Sequence, residues 1–267
     1  MKVTILGGGN MGTAYAVSLT KNNFLAKDEI IIIEKNAERL AFLQAEGFTS
    51  ARSEIDKSIG ENDFLILAVK PQGFTDLAQE IGGLLKPGQI VISIMAGITI
   101  GVIQKNLSKI QHVVRAMPNT PCQLGMGITG YVVTKSITRD QLIVIDKILN
   151  SNGRTVFMKE EGLLDAVTAV SGSGPAYFYY FLKNMIEAGV SMGLEEKSAI
   201  LLAKQTMFGS YHLLNQSGKS LDELINAVTS KGGTTEAALK TFESNDVGAS
   251  IQKGLKAAEQ RAKELAK

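Results

Sequence analysis

The run Val3-Thr4-Ile5-Leu6 passes directly into Gly7-Gly8-Gly9-Asn10-Met11-Gly12 and then into a helical pattern that reaches Lys21. A short, unbroken apolar run marks a strand covered on both faces. A Gly-x-Gly-x-x-Gly turn between such a strand and a helix admits few folds. The first glycine permits the tight turn, the second lets backbone approach a pyrophosphate, and the third lets the helix pack on the strand. The helix N-terminus then offers amides and a dipole to negative charge. The stretch predicts a strand-turn-helix that holds a dinucleotide, with Leu6, Gly7, Gly8, Gly9, Asn10, Met11 and Gly12 as its contacts.

Alternation of this kind continues to about residue 158. Val3–Leu6, Ile30–Glu34, Phe64–Val69, Ile90–Ile94, Val113–Met117, Ile128–Thr134 and Thr155–Met158 read as short strands. Met11–Lys21, Asn36–Glu46 and Phe74–Leu85 read as the helices between the early ones. Strand-helix alternation predicts a parallel, doubly wound sheet with right-handed crossovers. From about residue 160 the strands stop, and 174–192, 195–215, 220–228, 234–245 and 247–265 all read as helices. Their starts carry signals: Pro175 in a first turn, Ser220 ahead of Asp222-Glu223, and Thr234-Thr235 ahead of Glu236. The expected organisation is α/β: a Rossmann-type doubly wound domain over 1–159, then an all-α domain over 160–267 that binds substrate and dimerises. Tyr177-Phe178-Tyr179-Tyr180-Phe181 makes one helix apolar nearly all round. Roughly 100 helical residues give a thin core alone, so this helix is expected at a subunit interface, with burial in the chain's own core as the alternative.

Composition excludes several classes. The 267 residues are 45% hydrophobic and 20% charged, which argues against disorder. Net charge is +2 with both signs interspersed, so no nucleic-acid arm is expected. Cys122 is the single cysteine, which rules out an internal disulfide and fits a reducing, cytoplasmic compartment. His112 and His212 lie far apart, and no metal site is expected. Ile90–Ile103, interrupted by Ser93, Gly97 and Gly101, is too short to span a bilayer, so no membrane association is expected. Lys2 and Ala14-Tyr15-Ala16 faintly resemble a secretory leader, but the apolar run between them is too short for one.

Further contacts belong at strand ends, where ligands lie in open α/β sheets. Glu34 closes the second strand, about 20 residues after the glycine loop, where an acid accepts from the adenosine ribose and disfavours a 2′-phosphate. That favours NADH over NADPH; Lys35, Asn36 and Arg39 would grip a phosphate if Glu34 turned away. Ala68, Val69, Lys70 and Pro71 close the next strand, and Met95, Ala96 and Gly97 the one after, as candidate walls for the nicotinamide and its ribose. Simple strand-to-helix turns are the alternative for both. In the helical half, Ser171-Gly172-Ser173-Gly174-Pro175 and Thr229–Thr235 are hydroxyl- and glycine-rich helix openings, natural anion sites or plain caps.

With these residues in view the chain resembles the pyrroline-5-carboxylate reductases. The likeness spans essentially the whole chain and rests on Gly7–Gly12, Ala68–Pro71, Arg115-Ala116-Met117-Pro118-Asn119-Thr120-Pro121, Ser171–Tyr177 and Ser230–Thr235, in order. It implies NADH- or NADPH-dependent reduction of 1-pyrroline-5-carboxylate to L-proline, the last step of proline biosynthesis. It also implies a homodimer with interlocking helical domains, often built into larger rings. Ser230, Gly233, Thr234 and Thr235 would hold the substrate, with Glu161 a further pocket candidate and Thr235 the donor or proton relay at the imine nitrogen. Lys219-Ser220 stands where relatives often carry His-Pro, and Lys231 replaces a common proline. Glu34 departs from the hydroxyl or small residue of phosphate-accepting relatives. The alternatives are a reductase of another cyclic imine or of a β-hydroxy acid, for which Lys183 and Lys204 are the available helix lysines, and a catalytically silent dinucleotide sensor.

Overall fold

The computed structural model describes residues 1–265. Seven strands form one sheet in the order β2-β1-β3-β4-β5-β6-β7. They are β1 (Val3–Leu6), β2 (Ile30–Ile33), β3 (Phe64–Leu67), β4 (Ile90–Ser93), β5 (His112–Met117), β6 (Gly127–Val133) and β7 (Gly153–Phe157). The first five pair in parallel, with Val3 beside Ile30 and Phe64, and Ile90 beside Phe64 and His112. Every residue of β1, β3 and β4 is buried, as continuous apolar runs require. Alternate residues feed two clusters, one on each face of the sheet. Val3, Ile5, Ile30 and Ile66 pack with Tyr15 and Leu19 of α1 (Asn10–Lys21) and Leu43 of α2 (Ala37–Ala45). Leu6, Leu65 and Val91 pack with Phe74 and Ile81 of α3 (Phe74–Gly82) and Ile103 of α4 (Ile100–Asn106).

The sheet is not parallel throughout. β6 runs antiparallel to β5, and β7 runs parallel to β6. The connection from Met117 to Gly127 holds one short 3₁₀ turn, too little chain for a crossover back to the same end of the sheet. β6 and β7 are joined through α5 (Arg139–Asn150), which opens with a capping box between Thr138 and Gln141. Gly153 and Gly127 pack backbone to backbone across that pair, where an added Cβ would overlap Gly127 itself. Cys122, fully buried beside Gly127, carries a thiol that burial pushes up in pKa.

The contacts divide the chain into two compact units, Met1–Gly174 with the C-terminal residues from Ala258, and Pro175–Ala257. The first unit runs past residue 159 because α6 (Leu163–Val167) packs on β5 and β6. The second is built from α7 (Gly174–Ser191), α8 (Glu196–Ser217), α9 (Leu221–Ala227), α10 (Thr234–Ser244) and most of α11 (Val247–Leu265). Its buried residues are Gly189, Ala199 and Ala203, all small, while its large apolar side chains face outward. No described helix is long and apolar enough to cross a membrane.

Candidate active site

The ends of β1, β2 and β3 open into a cleft of about 310 Å³ bordered by Gly7, Gly9, Glu34, Ala68, Val69 and Lys70 among others. Gly7 has φ +106°, and a Cβ there would lie 2.6 Å from the Ala68 carbonyl oxygen. A Cβ on Gly12 would overlap the Gly7 carbonyl oxygen, so α1 starts hard against the turn. Gly9 is different: no atom stands within 4 Å of where its Cβ would be, and no side chain caps the helix that it begins. Uncapped amides beside open space are what a pyrophosphate needs.

Glu34 folds back onto the loop. Its Oε2 accepts from the Gly8 amide at 2.8 Å and its Oε1 from the Asn36 amide at 2.8 Å. Arg39 reaches the next peptide, donating from Nε and Nη2 to the Gly8 carbonyl at 3.2 and 2.9 Å. Lys35 is exposed and pairs with Glu80 at 3.0 Å. The two strand-end segments behave differently. Ala68 hydrogen-bonds to Leu6 and borders the cleft with Val69 and Lys70, and Pro71 begins a 3₁₀ turn. Met95 is buried in the core, and Gly97, at φ +76°, lies under the Leu265 carbonyl, 2.7 Å from its would-be Cβ. Ala96, between them, is half-buried.

Glu161 is committed within the first unit. Its Oε1 accepts from the Ile100 amide at 2.8 Å and from Arg115 Nη1 at 3.0 Å. Arg115 is buried, and its Nη2 lies 3.6 Å from Asp165 Oδ1, a buried oxygen with no hydrogen bond. Charge pairing thus fastens the start of α4 and the segment before α6 to β5. Asp165 carries no motif, and nothing in the sequence singles it out.

In the second unit, Ser230–Thr235 forms a tight turn into α10. Gly232 takes φ +74° and donates to Glu236 Oε2 at 2.8 Å; Gly233 donates to the Ser230 carbonyl at 3.0 Å. A Cβ on Gly233 would meet Ser230 Oγ at 2.5 Å, so the turn closes only with glycine there. Among the described residues nothing accepts from the amides of Thr234 and Thr235, and the hydroxyls of Ser230, Thr234 and Thr235 make no hydrogen bond. Ser230 and Thr234 are exposed and Thr235 half-buried. Upstream, Ser220 and Glu223 form a reciprocal capping box at the start of α9. The Ser220 amide and hydroxyl hold the Glu223 carboxyl below the usual range.

Ser171-Gly172 does not open a helix from a loop. Both lie in a π turn, Thr168–Gly172, that continues α6 almost into α7, and Ser173 donates to the Thr168 carbonyl. The amides there are already used, so of the two hydroxyl-rich segments only Thr229–Thr235 leaves free donors at a helix start. Gly172 is needed instead for packing: a Cβ would meet Met117 Cε at 2.6 Å.

Sheet, glycine turn and cleft define a dinucleotide-binding oxidoreductase of the Rossmann class. Residues 2–97 match the family model described as NADP oxidoreductase, coenzyme F420-dependent, and residues 161–265 the model for pyrroline-5-carboxylate reductase dimerisation. The pyrroline-5-carboxylate reductase of Pseudomonas aeruginosa is 34% identical over 265 residues, 99% of this chain and 97% of that protein. The solved structure of the Coxiella burnetii enzyme is 32% identical and aligns with a TM-score of 0.90 over 100% of this chain and 98% of that one. A Plasmodium falciparum pyrroline carboxylate reductase, solved with NADP bound, is 27% identical with a TM-score of 0.88, over 100% and 98% of the two chains. The chain belongs to the pyrroline-5-carboxylate reductase family, and its coenzyme is a nicotinamide dinucleotide.

Proposed function

We propose that the chain reduces 1-pyrroline-5-carboxylate to L-proline in the cytoplasm, with NADH used ahead of NADPH. The observation that carries this reading is the turn Ser230–Thr235, which leaves amides and hydroxyls unpartnered at the start of α10 in a chain of this family. Gly7–Gly12 and Ala68–Pro71 hold the dinucleotide, and Met95, Ala96 and Gly97 shape the end of β4 beside it. When bound, the reduced coenzyme supplies the hydride. The chain's own residues bind and orient. Ser230, Gly233, Thr234 and Thr235 take the carboxylate and the ring, each hydrogen bond to the charged group contributing ~1.5–3 kcal/mol. The α10 dipole adds to the attraction. Thr235 Oγ1 donates toward the imine nitrogen, directly or through a water, and so relays the proton that the nitrogen gains. Holding two reactants in reach supplies much of the rate. Glu161 holds Ile100 and Arg115 in place rather than reacting. Helices α7–α11 pair two chains as a homodimer, which larger rings extend.

Glu34 supports the NADH preference. Each of its oxygens takes one backbone amide. A carboxylate keeps further lone pairs, so it can still accept from a ribose hydroxyl while repelling a 2′-phosphate. A steady-state assay with 1-pyrroline-5-carboxylate and each coenzyme in turn checks both points. Both coenzymes are expected to be oxidised one-for-one with proline formed, NADH with the higher kcat/KM. Glu34→Ser is expected to move that ratio toward NADPH by about five- to tenfold. No oxidation of either coenzyme would remove the activity, and an unmoved ratio would remove Glu34 from coenzyme choice.

A further inference from the structure

Gly8 is gripped through both of its backbone groups, which lie in successive peptide planes. Its amide donates to Glu34 Oε2 at 2.8 Å. Its carbonyl accepts from three donors: Thr13 Oγ1 at 2.8 Å, Arg39 Nη2 at 2.9 Å and Arg39 Nε at 3.2 Å. Arg39 Nη2 also donates to Thr13 Oγ1 at 3.0 Å, and the guanidinium rests 5.2 Å from the centre of the Phe42 ring. Glu34, Thr13 and Arg39 come from the end of β2, from α1 and from α2, and all three side chains are half-buried. The Gly8 carbonyl shares its peptide plane with the Gly9 amide, at the uncapped start of α1. Holding that carbonyl therefore sets where the Gly9 amide points.

From this we infer that Arg39 is a positioning residue: with Thr13 it holds the Gly8–Gly9 peptide, while Glu34 holds the Gly7–Gly8 peptide, and so it aims the loop amides at the pyrophosphate that both coenzymes share. Resting on the reading of Gly7–Gly12 as the dinucleotide loop, the inference removes Arg39 from the choice between NADH and NADPH. Two of its donor nitrogens face the protein's own carbonyl, and a planar fork is what such a two-pronged contact needs. A lysine keeps the charge but not the fork.

The test is titration of the whole enzyme with NADH and with NADPH, followed by coenzyme fluorescence, for wild type, Arg39→Met and Arg39→Lys. The clamp predicts that Arg39→Met raises both dissociation constants by the same factor, on the order of tenfold, that Arg39→Lys does not restore them, and that the unliganded melting temperature holds. A loss confined to NADPH and restored by lysine would show a phosphate grip and overturn the clamp, as would unchanged constants. If Arg39→Met does not fold, Thr13→Val decides: equal weakening of both coenzymes supports the clamp, and no weakening refutes it. Wild-type protein that bound neither coenzyme would instead sink the dinucleotide site itself.

Discussion

Thr235→Ala is expected to lower turnover by roughly 10- to 1000-fold while the affinity for coenzyme is unchanged. The range is that of removing one donor that acts mainly in the transition state. Among the described residues Thr235 Oγ1 has no partner, so removing it breaks no hydrogen bond there and leaves no donor stranded. The turn itself is held by other groups, the Gly232 amide on Glu236 and the Gly233 amide on Ser230. Loss of stability therefore does not explain a fall in rate, and a thermal melt beside the kinetics confirms this. The hydroxyl's own pKa is far too high for it to act as a free acid, so its contribution is to hold or pass a proton, not to generate one. Turnover within about twofold of wild type would remove Thr235 from the mechanism.

Dilution is expected never to yield a folded monomer. The side chains of Phe178, Tyr180, Leu201 and Tyr211 are 66%, 71%, 68% and 63% exposed on the single chain, although all lie on long helices. Burying one such side chain is worth about 1.5–3 kcal/mol. A folded domain's whole margin is only about 5–15 kcal/mol. Four large side chains left in water thus cost about as much as the helical unit can spare, and its own buried residues are a glycine and two alanines. A second copy presenting the same apolar faces would supply the missing core, and the match of residues 161–265 to a dimerisation model supports such pairing. Light scattering on dilution should give twice the chain mass, or a multiple of that for a ring, until the helical signal collapses with dissociation. A stable, active species of one chain mass would contradict this.

The parts of the fold that can be read from the chain are those where a local pattern has one physical cause. Phe64–Leu67 is buried on both faces and apolar at every position, and Val3–Leu6 is apolar except at Thr4, whose hydroxyl accepts from Asn62. Thr234-Thr235-Glu236 announces a helix start because only short polar side chains and an acid suit that end. What is missed depends on context beyond the local pattern. The reversal at β6 follows from the length of the Met117–Gly127 connection, which the apolar runs do not report. Helix α4 hides in the apolar stretch from Ile90, where seven residues are too few to show a helical period. The glycines of Ser171–Gly174 look like a helix opening, but Gly172 is there because Met117 packs on it. In the site, Glu34 and Arg39 are legible as charged groups near a ribose. Their shared grip on the two backbone groups of Gly8 is not, because backbone groups carry no side-chain signal.

The central claim is direct delivery of hydride from the bound coenzyme to the carbon of the substrate's C=N bond. Coenzyme deuterated at the transferred position of the dihydronicotinamide tests this most directly. The account predicts proline carrying one deuterium at the ring carbon of the former C=N bond, and none at that carbon when unlabelled coenzyme is used in heavy water. Unlabelled proline from labelled coenzyme, or solvent deuterium at that carbon, would contradict it.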